Sequence, residues 1–165
     1  MRIIGVDPGT ATTGFGIIEH NHGKLVFVDA GVITTPPNTP MAQRLITIHE
    51  ELGQVIRETS PEQSAVELLF FATNVTTAIS VGQARGVILL TLAENGLIPG
   101  EYTPMQIKQA VTGYGGARKP QIQEMVKKLL KLPQIPRPDD AADGLAIAIT
   151  HAHQLVVNMT PARTT

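Results

Sequence analysis

An apolar run that ends on a carboxylate constrains this chain more than any other feature. Ile3-Ile4-Gly5-Val6-Asp7 is followed at once by Pro8-Gly9-Thr10, the pattern of a buried strand stopped by a turn at an acid. An acid in that position needs a hydrogen-bonded turn, a basic neighbour or a metal to offset its burial. Taken alone, an Asp that organises its own turn is sufficient. The rest of the chain decides whether Asp7 has a further role.

The 165 residues are read as one domain, residues 1–158, with a disordered tail over 159–165. A hydrophobic fraction of 42% with 16% charged residues fits a folded globular chain and not a disordered one. No uninterrupted apolar run approaches the roughly 18 residues of a membrane span, and no signal-peptide pattern opens the sequence, so a cytoplasmic protein without a membrane partner is expected. The absence of cysteine excludes disulfides, thiolate metal sites and a Cys nucleophile. Any metal must then bind through carboxylates, imidazoles or backbone, which favours hard cations.

The net charge of −1 hides an uneven distribution. Residues 104–138 hold seven basic side chains and one acid, Glu124, giving +6 and leaving −7 for the remainder. Lys127, Lys128 and Lys131 are explained by a solvated helix face. Arg118 and Lys119 follow a glycine-rich loop, Thr112-Gly113-Tyr114-Gly115-Gly116-Ala117, whose backbone allows close approach to a phosphate. The loop lacks the spacing of a Walker or dinucleotide motif.

Periodicity orders the elements. Strands are expected over 3–7, 12–19 and 24–28, the last resuming over 31–34, joined by short turns as an antiparallel meander. Met41, Leu45, Ile48, Leu52 and Val55 form the apolar stripe of an amphipathic helix closed by Ser60-Pro61. That helix supplies the crossover for a strand over 64–71 lying parallel to the first strand. Glu67 is the polar exception in this strand and would share a strand end with Asp7, although an edge-strand Glu pointing to water explains it equally well. A helix over 75–95, capped by Gly96, is apolar on more than one face and suggests a homodimer interface. A short strand over 100–103, a helix from Pro104, a basic helix from Pro120 to Leu132 and a final helix opened by Asp139-Asp140-Ala141-Ala142-Asp143 complete the chain. One of the acids in that opening is expected to be the N-cap. Asp140 and Asp143, three residues apart, project from one face.

Each acid has a structural explanation singly. Four converging carboxylates would repel one another, and divalent cations would relieve this. Two Mg²⁺ in an oxygen-rich site are the usual apparatus for hydrolysing a phosphodiester, so a metal-dependent nuclease is expected. His20, His22 and His49 are expected to be structural or solvated.

The sequence also resembles the RuvC family of Holliday junction resolvases. The resemblance rests on Asp7-Pro8-Gly9 with Thr13-Gly14, Ala65-Val66-Glu67 followed by Phe70-Phe71, Gly82-Gln83-Ala84-Arg85-Gly86, Val111-Thr112-Gly113 with Lys119, and Asp140-Ala141-Ala142-Asp143 with Ala146. It implies an α/β, RNase H-like fold with a mixed five-stranded sheet flanked by helices. It also implies Asp7, Glu67, Asp140 and Asp143 as metal-binding catalytic acids for two Mg²⁺, with Mn²⁺ substituting. Lys108 and Lys119 would lie near the scissile strand with Arg118 beside them, and Phe70 would stack on a base near the junction centre. The implied partners are four-way junction DNA, a second copy of the chain and the RuvA-RuvB branch-migration complex. Asp139 adds an acid before the last motif, and the Asp-Ala-Ala-Asp spacing assigns Asp140 rather than Asp139 as the ligand. Gly144 stands where the family usually has Ala and is expected to loosen the first turn by under about 1 kcal/mol. Sugar kinases and actin-like ATPases share an acid-turn after a first strand but need two domains, for which the chain is too short. A junction-binding module without catalysis would have no reason to keep four acids.

Overall fold

The computed structural model describes residues 1–68 and 75–159. Five strands, β1 (Arg2–Asp7), β2 (Thr12–Asn21), β3 (Lys24–Thr34), β4 (Gln63–Glu67) and β5 (Gly100–Tyr102), form one sheet in the order β3-β2-β1-β4-β5. β1 pairs antiparallel with β2 and parallel with β4, as the crossover through α1 (Met41–Thr59) requires. Helix α1 ends where Ser60 turns left-handed and its N–H bonds the Ile56 carbonyl at 2.8 Å. The remaining helices are α2 (Val75–Glu94), α3 (Pro104–Thr112), α4 (Lys119–Leu129) and α5 (Asp139–Met159).

Strand alternation divides the core in two. Ile4, Val6 and Val66 face one side and pack with Ile48 and Leu52 of α1 and Ile88 and Leu92 of α2. Ile3 and Ala65 face the other side with Ile107 of α3, Val126 of α4 and Leu145, Ala148 and Ile149 of α5. The same period of two places Asp7 on the α5 face with Ile3 and Gly5, and Glu67 there with Ala65.

Glycine lets α5 sink onto this face. A Cβ on Gly5 would lie 2.3 Å from the Gly144 carbonyl oxygen, and one on Gly16 would lie 2.3 Å from the Leu145 nitrogen. Gly144 has a packing reason beside its helix propensity. A methyl there would lie 2.4 Å from the Phe15 carbonyl carbon, so in this chain the position is filled by close crossing of helix and strand.

Several boundaries differ from the sequence expectation. β3 is one strand, because the break expected after Val28 is a bulge: Ile17 faces Asp29 while Ile18 faces Phe27. β4 stops at Glu67, and residues 69–71 of the expected strand lie outside the described residues. α4 ends three residues early, at Leu129. The acids of α5 do not precede the helix as a cap. Asp139 and Asp140 are already helical, and the Pro138 carbonyl accepts the Ala141 N–H at 3.0 Å. α5 extends to Met159, and residues 160–165 of the expected tail lie outside the described residues.

Candidate active site

The end of β1 meets the start of α5. Carboxylate oxygens of Asp7, Asp140 and Asp143 all lie within 4.8 Å of one another. Asp7 reaches the cluster from the sheet, and Asp140 and Asp143 reach it from one face of the helix, where a rise of one turn brings i and i+3 together. Gly14 sets the spacing between them: a Cβ there would lie 2.1 Å from the Asp140 carbonyl oxygen. The β1–β4 register, Val6 opposite Val66, brings Glu67 beside Asp7.

The electrostatics reflect this crowding. Burial, then the charges of Glu67 and Asp143, push the Asp7 carboxyl up from the ordinary range to about 8. Burial also raises Glu67, against the lowering influence of its hydrogen bond with Asp7 and of Lys108 and Lys119. Asp143 is raised by burial although Lys119 draws it down. The Lys119 ammonium donates to Asp143 Oδ2 at 2.9 Å, and that bond holds its own pKa above the usual value. Asp139 belongs elsewhere. It accepts from Arg137 at 2.6 Å, which leaves Asp140 and Asp143 for the cluster.

A cleft of about 510 Å³ opens from these acids. Asp7, Glu67 and Asp143 line it, and Lys108, Arg118 and Lys119 bring three cations to it. Lys108 is held by α3, whose start is fixed by a reciprocal cap: Gln106 N–H donates to Thr103 Oγ1 at 3.1 Å and Thr103 N–H to Gln106 Oε1 at 2.8 Å. Arg118 and Lys119 stand at the start of α4, where Arg118 N–H donates to Gln121 Oε1 at 2.8 Å. The glycine-rich loop before them turns left-handed at Gly113, and Tyr114 lies over Gly116, where a Cβ would come within 2.6 Å of its ring.

The structure therefore brings together seven of the eight residues singled out from sequence; Phe70 lies outside the described residues. The apolar lining from Ile107, Ile122, Ala146 and Ile147 was not anticipated. It could have been found in the 3–4 spacing of α3, α4 and α5, whose apolar stripes face one another. The donor set suits a hard divalent cation: it is all oxygen and anionic, and of the four carboxylates only Asp143 is paired with a lysine among the described residues. Asp7, Glu67, Asp140 and Asp143 would hold such an ion.

The match to known families is extensive. Residues 3–151 match the family described as "Crossover junction endodeoxyribonuclease RuvC". The chain belongs to the RuvC family. The crossover junction endodeoxyribonuclease RuvC of Chloroflexus aurantiacus is 56% identical over 153 residues, covering 93% of each chain. That of Desulfitobacterium hafniense is 56% identical over 155 residues, covering 94% of each. Thermus thermophilus RuvC in complex with Holliday junction substrate superposes with a TM-score of 0.91 at 36% identity, covering 96% of each chain. The yeast mitochondrial Holliday junction resolvase Ydc2, at 15% identity and a TM-score of 0.62, shares the fold. The architecture is RNase H-like, as the sequence led us to expect.

Proposed function

We propose that this RuvC-family chain is a structure-selective endodeoxyribonuclease that resolves four-way DNA junctions by paired symmetric nicks in recombination and repair. The observation that carries this is the meeting of three carboxylates within 4.8 Å beside a cleft that also holds Glu67 and three cations. Asp7, Glu67, Asp140 and Asp143 are the proposed ligands of two Mg²⁺, with Mn²⁺ as a substitute. Bound there, the ions would supply Lewis acidity and activation of the attacking water. Lys119 and Lys108 balance the phosphate charge that enters the cleft, and Arg118 orients the strand by its planar fork. Phe70 is proposed to stack on a base near the junction centre.

The working unit is proposed to be a homodimer. Helix α2 is long and apolar enough to cross a membrane by length and composition, and only 22% of that stretch is buried. Ile79 and Leu90 are more than half exposed on it. A second copy would cover this surface, and sedimentation showing only monomer at micromolar concentration would refute the dimer. A cytoplasmic location and cooperation with the RuvA-RuvB branch-migration complex complete the proposal.

The test compares a labelled four-way junction with a matched linear duplex in Mg²⁺, Ca²⁺ or no metal, for the natural chain and Asp7→Asn. Paired nicks on the junction alone, in Mg²⁺ alone and without Asp7→Asn activity are expected. Cutting of both substrates would remove junction selectivity, and binding without cutting in any metal would make the chain a binding module.

A further inference from the structure

A second cleft, at the far end of α4, is not used by the acid cluster. It measures about 460 Å³ and lies between the β2–β3 turn and the C-terminus of α4. Lys24, Lys131 and His153 line it over an aliphatic floor of Leu25, Leu129 and Leu130, and no carboxylate lines it among the described residues. His153 Nδ1 donates to the Ala110 carbonyl at 3.1 Å, which fixes the ring.

Lys131 has a backbone conformation that its side chain does not favour. It follows α4 as the left-handed residue of a helix-ending motif, with φ of 53°, Leu132 N–H on the Lys127 carbonyl at 2.9 Å and Lys131 N–H on the Lys128 carbonyl at 3.2 Å. Glycine is the usual residue there because it has no Cβ to strain. A lysine kept in a costly conformation beside a cleft is a functional candidate.

Two measures place this cleft relative to the acids. Lys131 lies twelve residues beyond Lys119, about 18 Å at roughly 1.5 Å per helical residue. Along β2, Asn21, opposite Lys24, lies seven residues beyond Gly14, opposite Asp7; that is about 24 Å at roughly 3.4 Å per strand residue. B-form DNA rises about 3.4 Å per base pair, so the separation corresponds to about five to seven base pairs. Lys127 and Lys128 lie between, with Glu124 the one acid of α4.

We propose that this cleft grips the phosphate backbone of a duplex arm about five to seven base pairs from the cut. The proposal rests on the junction-resolvase reading. Lys24 and Lys131 are the two cations in contact, their aliphatic stems supported by the leucine floor.

Junction binding is measured in Ca²⁺ over a salt series with the full chain, using arms of 12 base pairs and arms of 4 closed by hairpin loops, for the natural chain and the K24A/K131G pair. On long arms the log–log salt slope should fall by about 1.8, so the affinity gained from about 200 to about 50 mM salt shrinks about tenfold. The long-arm to short-arm affinity ratio should fall with it. Lys131→Gly should melt no lower than the natural chain, because glycine accepts the left-handed turn, so a fold defect is distinguishable. An unchanged slope on long arms, or equal loss on both arm lengths, overturns the distal contact while leaving the resolvase reading intact. A natural chain that neither selects nor cuts junctions overturns both.

Discussion

The Lys119 ammonium rests 2.9 Å from Asp143 Oδ2, joining the start of α4 to the first turn of α5 across the cleft. Half of the lysine side chain is exposed, so this pair contributes little to stability. Its position suits it to balance charge on an entering phosphate. Lys119→Ala is expected to slow single-turnover junction cleavage by about 10²-fold and to lower the salt slope of binding by about one. Cleavage at the natural rate would remove Lys119 from the chemistry.

Metal should stabilise the fold through the same cluster. Asp7 is largely buried among like charges, so its carboxylate costs folding energy in the metal-free chain. Mg²⁺ is expected to raise the melting temperature of the natural chain at pH 8. Asp7→Asn should melt several degrees higher than the natural chain without metal and gain less from Mg²⁺. Calorimetry at matched ionic strength separates this from general salt effects.

Gly14 tests the link between packing and the site. A methyl at this position meets the Asp140 backbone, which cannot yield without moving the start of α5. Gly14→Ala should destabilise by about 1–3 kcal/mol. Its cleavage should fall further than its folded fraction does, read by activity in parallel with denaturant unfolding. Activity that tracks folding alone would show that the helix start is free to shift.

His151 carries a pH signature. Tyr102 OH donates to its Nδ1 at 2.8 Å, and Nε2–H faces Gln63 Oε1 at 3.3 Å, tying β5 and β4 to α5. Burial lowers its pKa below 6.5. The unfolded chain therefore takes up the proton first, so this contribution is complete above about pH 6.5 and is lost as pH falls through the lowered folded value. The buried carboxylates act with opposite sign. The discriminating quantity is thus the difference between the natural chain and His151→Gln, whose stability gap should narrow from pH 7 to pH 5. A constant gap would refute it.

Local chemistry made much of this legible in advance. The run Ile3–Asp7, the crossover helix and the Asp140–Asp143 spacing depend on side-chain period and turn residues, which sequence displays directly. The parallel β1–β4 pairing followed from the crossover that the intervening helix supplies. What sequence left open depended on contacts between distant segments. The motif spacing already pointed to Asp140, but that Arg137 takes Asp139 was not legible. The break expected in β3 was absorbed by a bulge against β2.

By itself, then, the sequence determined which residues could do chemistry here: an acid at a strand end, two acids one turn apart, and cations after a glycine-rich loop. Tertiary structure alone decided how close they come. Gly5, Gly14, Gly16 and Gly144 remove the side chains that would hold helix and sheet apart, and a cluster within 4.8 Å exists only because those backbones meet. Distances of that kind are set by the absence of atoms on two remote segments at once, which no local pattern in either segment records.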